Sequence, residues 1–95
     1  MLKIGGIYTF KEKKSVKIVV SEQSYITLLN LDFFELNNKC VNDYIYDFSE
    51  DYKFKQFALK RLNIQDIDGY LGVLTDSNLK KLRRSLNDEI LGQVK

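Results

Sequence analysis

The side chains most able to do chemistry in this sequence are its cations, which fall into separate groups. The first 20 residues carry five lysines against a single acidic residue, and positive charge returns after residue 52. Clustered lysine and arginine side chains are typical of surfaces that bind nucleic-acid phosphates. The candidate RNA contacts are therefore the cations of the first loop and of the segment around residue 55, namely Lys11, Lys13, Lys14, Lys53, Lys55 and Arg61.

A third basic group lies near the C-terminus, where Lys80, Lys81, Arg83 and Arg84 follow one another closely. On a helix these four side chains span more than half of the circumference, so they cannot all contact one ligand. A solvated helix face and a nucleic-acid contact both remain open for this group. For stacking on bases, the sequence offers Tyr8 and Tyr52 beside the other candidate contacts.

The composition excludes several kinds of site. The 95-residue chain has no histidine, so catalytic triads, histidine-based ribonuclease chemistry and histidine metal sites cannot be built within it. The carboxylates Asp43, Asp47, Glu50 and Asp51 match no calcium-loop spacing, which favours a solvated acidic hairpin. Cys40, the single cysteine, has no histidine to activate it and is expected to be a half-buried structural thiol. We expect no metal and no cofactor.

Apolar alternation and turn residues predict a strand-rich segment over residues 1–74. Three strands, at 4–10, 16–20 and 25–31, are expected to form an antiparallel meander. Two more, at 41–48 and 52–56, are expected to pair through a hairpin loop at 49–51, and a last strand covers 69–74. For residues 32–36 a turn of helix and a bent continuation of the strand both remain open.

The C-terminal segment gives the clearest helix signal, over about residues 76–91. Thr75 or Asp76 can cap its N-terminus. Four apolar residues recur at helical spacing and form one stripe, which consists of Leu79, Leu82, Leu86 and Ile90. Because an isolated amphipathic helix of this length is unstable in water, the stripe must pack on the sheet. The sequence thus predicts a single α+β domain over residues 1–95, a coiled antiparallel sheet or open barrel plugged by a helix.

Both ends of the chain resemble the MazF/PemK toxin family. The resemblance is carried by the strand Gly6-Ile7-Tyr8-Thr9-Phe10, by the basic loop after it, and by the ending Gly69-Tyr70-Leu71-Gly72-Val73-Leu74-Thr75-Asp76-Ser77-Asn78-Leu79-Lys80-Lys81-Leu82. It implies a small SH3-like barrel of about five to six strands with a C-terminal helix. It also implies a homodimeric, metal-independent endoribonuclease that acts on single-stranded RNA and is silenced by a protein antitoxin.

The catalytic residues stay unassigned, and so does the question of whether the protein is an enzyme. The family carries an arginine in a Gly-x-Arg-Pro segment of its first loop, where this chain has Lys14 and no proline. A lysine cannot reproduce the bidentate grip of guanidinium on a phosphate. For the serine or threonine of the family, Thr27 and Ser49 are loose candidates.

A different class of function remains open beside the toxin-like one. The same barrel could be a non-catalytic module that binds a protein or ligand, in a regulatory or anti-defence role in a phage or plasmid. Low proline, tryptophan and histidine contents suit an AT-rich genome, in which mobile elements are common. No apolar run approaches the ~20 residues needed to cross a bilayer, so we expect a cytoplasmic protein with no membrane partner.

Overall fold

Short apolar segments separated by polar turns form seven strands and two α-helices within the residues that the computed structural model describes. These are residues 2–11, 15–29, 31–49, 51–54 and 56–94, of which 89–94 are described as helical backbone alone. In chain order the elements are β1 (Gly6–Phe10), β2 (Lys17–Ser21), β3 (Ser24–Leu28), α1 (Phe33–Asn37), β4 (Cys40–Asn42), β5 (Ile45–Tyr46), β6 (Phe57–Arg61), a 3₁₀ turn (Ile64–Asp66), β7 (Ile67–Leu74) and α2 (Asp76–Val94).

The strands form one sheet in the order β4-β5-β7-β1-β2-β3-β6. The predicted meander of the first three strands is confirmed, with Ile18 paired to Ile7 on one side and to Ile26 on the other. β6 and β7 add to it in antiparallel fashion, whereas β5 runs parallel to β7. The α+β class and the C-terminal helix are confirmed. The sheet is mixed rather than wholly antiparallel, and it is not closed into a barrel.

The meander β7-β1-β2-β3-β6 must be strongly twisted and coiled. Its outer strands are four spacings apart, or about 19 Å along the sheet. Arg61 pairs with Ser24 at one end of the strands, while Ile67 pairs with Phe10 at the other, which adds about 18 Å along the strand direction. A flat sheet would separate Arg61 from Ile67 by about 26 Å, but the intervening chain reaches at most about 22 Å. Only a coiled sheet brings the two residues within reach.

Two hydrophobic clusters cover the two faces of the sheet, because neighbouring residues of a strand point to opposite sides. The main core lies between the sheet, α1, α2 and the segment after β5 and consists of Ile7, Val16, Ile18, Ile26, Leu28, Leu31, Leu36, Tyr46, Phe48, Phe54, Leu74 and Leu82. The minor core consists of Tyr8, Phe10 and Val19, with Ile4, Tyr25, Leu62 and other half-buried side chains packed against them. Several large apolar side chains lie outside both clusters and are exposed, among them Phe34, Ile64 and Tyr44.

The C-terminal helix packs on the main core as its stripe predicts. Leu82 is fully buried, and Leu79 and Leu86 pack against the core from either side of it. Thr75 acts as the N-terminal cap, since its hydroxyl accepts a hydrogen bond from the Asn78 N–H at 3.3 Å. Ile90, the last residue of the predicted stripe, has its side chain outside the described part.

Residues 32–36, for which two conformations remained open, begin the short helix α1. The Asp32 carboxylate caps it by accepting a hydrogen bond from the Glu35 N–H at 2.8 Å. The buried Leu36 then anchors the helix in the main core.

The predicted hairpin of residues 41–48 and 52–56 is wrong. The first segment is split into β4 and β5 by a turn in which Tyr44 takes a φ of 66°, and the described residues 52–54 are not in a strand. The next strand begins at Phe57 and pairs with β3 instead. Aromatic side chains of the two segments are nevertheless in contact, since the Tyr52 and Phe54 rings lie 4.8 and 5.4 Å from that of Phe48.

Candidate nucleic-acid interface

A groove runs between the segment that follows β5 and the first turns of α2. Its volume is about 860 Å³, and it is here called the basic groove. The lining residues are Asp47, Phe48, Ser49, Thr75, Ser77, Asn78, Lys80, Lys81 and Arg84. Both walls therefore come from residues directly after two neighbouring strands, β5 and β7, which run in the same direction.

The parallel pairing of β5 and β7 places these walls side by side. Tyr46 pairs with Leu74 at the ends of the two strands, and the Thr75 N–H donates to the Tyr46 carbonyl at 3.1 Å. The chain then enters residues 47–49 on one side and α2 on the other. Asp47 and Thr75 remain linked by a 3.3 Å hydrogen bond from the threonine hydroxyl to the carboxylate.

Asn78 fastens one wall of the groove to the other. Its Oδ1 accepts a hydrogen bond from the Phe48 N–H at 2.5 Å, and its Nδ2 donates to the Phe48 carbonyl at 3.3 Å. Both residues are buried, at 4% exposure for Asn78 and 2% for Phe48. A buried backbone segment without strand partners needs such bonds, because unpaired polar groups are costly in the interior. Asn78 therefore holds the middle residue of the segment 47–49, and the Asp47 N–H, which donates to the Lys39 carbonyl at 2.8 Å, holds its first residue.

Three of the four C-terminal cations line this groove. Lys80, Lys81 and Arg84 fall within about one turn of α2, whereas Arg83 points elsewhere and is not among the lining residues. The Lys81 Nζ donates to the Ser49 carbonyl at 3.3 Å, so this lysine bridges the two walls. The four cations do not all line one groove, as the sequence predicts. The sequence analysis did not predict that three of them do.

The electrostatic balance of the groove favours anions. Three cationic side chains face one carboxylate, that of Asp47, among the lining residues. The groove also holds the N-terminus of α2, where the helix dipole is positive. Hydroxyl groups of Ser49, Thr75 and Ser77 add neutral hydrogen-bonding partners. Such a set can bind phosphate oxygens through charge and hydrogen bonds together.

Beneath the groove, Phe48 belongs to an aromatic cluster with Tyr52 and Phe54. Burial, together with the nearby Glu35 charge, raises the pKa of Tyr52 above its ordinary value. Burial also raises the pKa of Tyr46, with a smaller contribution from Cys40. Both phenols are therefore neutral over the physiological pH range and act as packing groups rather than as acids.

Of the RNA contacts predicted from the sequence, the structure describes Lys11, Lys53 and Arg61, and it places Lys11 and Arg61 at opposite ends of the strands. Lys11 lies at the end of β1, where its N–H donates to the Asp66 carbonyl. Arg61 lies at the opposite end of the strands, paired with Ser24 beside the β2–β3 turn. Lys53 is exposed in the segment between Ser49 and β6. The remaining candidates, Lys13, Lys14 and Lys55, lie outside the described residues.

Two other expectations, on the stacking tyrosines and on the cysteine, differ from the structure. Tyr8 is buried at 6% exposure, with its hydroxyl accepting from the Lys3 N–H, and Tyr52 is half-buried against Phe48, so neither presents a free ring for stacking. Cys40 is exposed on β4 rather than half-buried.

The two loose candidates for a catalytic hydroxyl have separate positions. Thr27 is buried within β3, whereas Ser49 lines the basic groove. The residues described here contain no group of three or more potential metal-binding side chains.

Sequence reasoning missed the basic groove because one of its walls has no sequence signal. The leucine stripe of α2 does imply that Lys80, Lys81 and Arg84 lie away from the core. Nothing in residues 47–49 indicates that they dock against that helix. The single available signal is Asn78, a polar residue one position before Leu79 that is directed toward the protein interior.

Among the described residues, no helix is long and apolar enough to cross a membrane. Compared with known proteins, the chain matches no family model, no curated protein and no solved structure.

Proposed function

We propose that this protein binds single-stranded RNA in the basic groove, as a small barrel-type protein of the MazF/PemK kind. The observation that carries the proposal is the convergence of Lys80, Lys81 and Arg84 on one groove, in which Asp47 is the one carboxylate among the described lining residues. Phosphate contacts of this kind supply most of the affinity of proteins for nucleic acid, whatever its sequence.

The dimensions of the groove favour a single strand. Lys80 and Arg84 are four residues apart, which is about 6 Å along the helix axis. A span this short suits one or two successive phosphates of one strand rather than the two backbones of a duplex. The hydroxyl groups of Ser49 and Ser77 are available to the ribose 2′-hydroxyl, the group by which proteins distinguish RNA from DNA.

The fold supports the same assignment. An SH3-like barrel requires a strongly coiled antiparallel meander with its outer strands brought toward each other. The short chain between Arg61 and Ile67 imposes such coiling on β7-β1-β2-β3-β6. We therefore assign the sheet to the SH3-like type, with β4 and β5 as an addition at one edge. From the family resemblance we further propose a toxin role, with a protein antitoxin as the physiological partner.

The groove also contains groups from which metal-independent RNA cleavage could be built. Such cleavage needs a base for the 2′-hydroxyl proton and a cation for the charge that develops on the phosphate. Asp47 can serve as the base, and Lys80 or Arg84 as the cation. Ser49, the exposed one of the two hydroxyl candidates, lies in the same groove. Cleavage is a separate question from binding and is tested separately.

The binding test uses a fluorescently labelled single-stranded RNA oligonucleotide and anisotropy at several salt concentrations. With three phosphate contacts, log K should fall against log salt with a slope of about −2, which weakens binding about 20-fold between 50 and 200 mM salt. The double variant Lys80→Ala/Arg84→Ala should reduce the slope to about −0.7. Arg83→Ala is the matched control, since it removes one cation from the same helix outside the groove.

Two results would contradict the assignment. Wild-type affinity that does not change with salt would exclude a phosphate-based interface. Equal losses in Arg83→Ala and Arg84→Ala would show that the helix charge acts without the groove.

A cleavage test follows from binding. The protein is incubated with single-stranded RNA in the presence of a chelator, and the products are resolved on a gel. If the groove is catalytic, Asp47→Asn should abolish cleavage while binding persists. If intact RNA is recovered with the wild-type protein, the protein is an RNA-binding module without nuclease activity.

A second candidate function, a non-catalytic protein-binding module, is favoured by one observation. The β4–β5 hairpin exposes the apolar side chains of Val41 and Tyr44, at 62% and 64%, beside the acidic Asp43. Exposed apolar groups with a polar border are typical of protein interaction sites. Under this alternative, Tyr44→Ser should abolish capture of a protein from the native host while RNA affinity is unchanged.

A further inference from the structure

A second cavity, of about 590 Å³, lies where the turn between β2 and β3 meets the chain that leaves β6. It is here called the Arg61 cavity. The turn contributes Glu22 and Gln23, and the chain at the end of β6 contributes the other lining residues, namely Arg61, Leu62, Asn63, Ile64 and Gln65. The described linings of this cavity and of the basic groove share no residue. A volume of this size is typical of sites for small molecules.

Backbone hydrogen bonds hold the two walls of the Arg61 cavity together. Arg61 pairs with Ser24 of β3, and the Leu62 N–H donates to the Gln23 carbonyl at 2.8 Å. The Gln23 N–H in turn donates to the Ser21 hydroxyl, which lies 2.6 Å from the Ser24 hydroxyl. The walls are therefore fixed by the fold, so a ligand has little to order when it binds.

One part of the lining is apolar. Ile64 is 66% exposed in the 3₁₀ turn, whereas Leu62 is half-buried and packs against the minor core. The turn itself is held by the Asn63 side chain, whose Oδ1 accepts a hydrogen bond from the Gln65 N–H at 3.1 Å. An isoleucine this exposed contributes little to folding, but it gives the cavity an apolar surface.

Two opposite charges face the Arg61 cavity without meeting. The Arg61 guanidinium and the Glu22 carboxylate belong to exposed side chains that both line it. Within the part of the chain that the structure describes, neither side chain forms an ion pair or a hydrogen bond. The charged groups of the lining sum to zero, so a purely anionic ligand is repelled by Glu22 and a purely cationic one by Arg61. The arrangement favours a ligand that carries both charges.

We propose that the Arg61 cavity binds a free α-amino acid with an apolar side chain. The α-carboxylate of the ligand accepts two hydrogen bonds from the Arg61 guanidinium, whose planar fork matches a carboxylate. The α-ammonium group donates to the Glu22 carboxylate, and the apolar side chain lies on Ile64. This site goes beyond the proposed RNA binding and does not depend on it.

The same charges disfavour two other common classes of ligand. A nucleotide would bring phosphate charge next to Glu22 with no ammonium group to offset it. The end of a peptide carries only one of the two charges beside its side chain. A free amino acid carries both charges and an apolar group on one carbon atom, which matches the three kinds of group in the lining.

The test titrates L-leucine into the isotope-labelled full chain and follows the backbone amide signals by two-dimensional NMR. A ligand of about nine non-hydrogen atoms in an open cavity should bind with a Kd of about 0.1–5 mM, so the titration extends to about 50 mM. The signals that move should be those of the cavity walls, residues 22–24 and 61–65. No movement at the highest concentration, or movement centred on the basic groove, would overturn the proposal.

Three analogues of leucine test its three groups separately. L-leucinamide lacks the carboxylate, N-acetyl-L-leucine lacks the ammonium group, and glycine lacks the apolar side chain. The first two also represent the two ends of a peptide. Loss of a charged hydrogen-bonding partner should weaken binding at least about tenfold, and glycine should also bind more weakly than leucine. If any of the three binds as tightly as leucine, the proposal is overturned.

Variants test the two charged residues. Arg61→Gln and Glu22→Gln should each weaken leucine binding at least about tenfold. Lys60→Gln and Asp68→Asn are the matched controls, since each removes one charge from an exposed residue outside the lining. Both controls should bind leucine within about twofold of the wild type, because exposed charges at a distance are screened. The spectrum of each variant also shows whether it is folded.

The result is independent of the basic groove. Lys80→Ala/Arg84→Ala, the variant that impairs the proposed RNA binding, should bind leucine as the wild type does. Equal losses in Lys60→Gln and Arg61→Gln would overturn the amino-acid site, whatever the outcome for RNA.

Discussion

Substitution of Asn78 is the sharpest test of how the two walls of the basic groove are held together. Asn78→Ala removes both hydrogen bonds to the Phe48 backbone and leaves a buried N–H and a buried carbonyl unpaired. Each unpaired group costs about 1–3 kcal/mol. Alanine is the better helix former by about 0.5 kcal/mol, which offsets part of the loss. The expected net loss is about 1.5–5.5 kcal/mol.

A loss of this size is easily measured in a domain of 95 residues. At about 4–8 °C per kcal/mol, it corresponds to a fall in Tm of at least about 6 °C and to a large part of the stability of a typical domain. Urea unfolding, followed by circular dichroism or by the fluorescence of the six tyrosines, gives the free energy of unfolding directly. Asn87→Ala is the matched control, since it makes the same change at an exposed position of α2.

The control should change stability by only a few tenths of a kcal/mol, in the stabilising direction. If Asn78→Ala unfolds within about 0.5 kcal/mol of the wild type, water or a local shift satisfies the Phe48 backbone, and the reasoning is refuted. Asn78→Asp tests the two hydrogen bonds to Phe48 separately, because it removes one and keeps the other. It keeps an acceptor for the Phe48 N–H but sets a carboxylate oxygen against the Phe48 carbonyl, so at neutral pH it should be at least as unstable as the alanine variant.

Two other changes test the packing next to the groove. Gly72→Ala should destabilise the protein by about 1–3 kcal/mol in urea unfolding, because a Cβ there would collide with the Tyr44 carbonyl and lie 2.6 Å from the Tyr46 Cε1. Gly69→Ala is the control on the same strand, where a Cβ would lie 3.1 Å from the Thr9 hydroxyl oxygen, and it should destabilise the protein clearly less. Equal losses of stability in the two variants would contradict this explanation. The raised pKa values of Tyr46 and Tyr52 mean that the folded state favours the neutral phenols, so this stability is present below the unfolded value of 10.0 and is lost as pH rises through 10 and above. Tyr52→Phe should therefore show a smaller fall in urea midpoint than the wild type between pH 8 and pH 11, whereas identical falls would show that Tyr52 ionises equally in both states.

The parts of the fold that could be predicted from the sequence are those set by local pattern. The leucine spacing of α2 indicates both the helix and the face that it buries, and Leu82 is fully buried as expected. The β-branched second strand and the turn at Ser21 to Ser24 predict the meander, which depends on neighbours along the chain. These elements need no knowledge of distant contacts.

The parts that could not be predicted depend on pairings between residues far apart in sequence. The aromatic alternation from Tyr44 to Phe54 is compatible with a hairpin, and the same aromatic contacts arise when the rings pack in one cluster without strand pairing. The strand that pairs with β3 is β6, in the segment after Phe54. The apolar alternation of β6 is weaker than the aromatic alternation before it, so the sequence does not single β6 out as the partner. Side-chain pattern fixes which groups are buried, but it does not fix which backbone they pair with.

The relative positions of the basic residues could not be predicted either, because they also depend on strand pairing. Two cations that the sequence analysis assigns to one RNA-binding surface, Lys11 and Arg61, lie at opposite ends of the strands. Lys80, Lys81 and Arg84 could be placed on one helix from the sequence, but the surface that faces them could not. The deciding feature is the parallel pairing of β5 with β7, which aligns the two strand ends so that residues 47–49 and the N-terminus of α2 leave the sheet together. That pairing rests on Gly72, whose missing side chain lets β5 approach, and on Asn78, which holds the segment after β5 in place. The charge pattern of α2 therefore becomes a binding surface only through two uncharged residues.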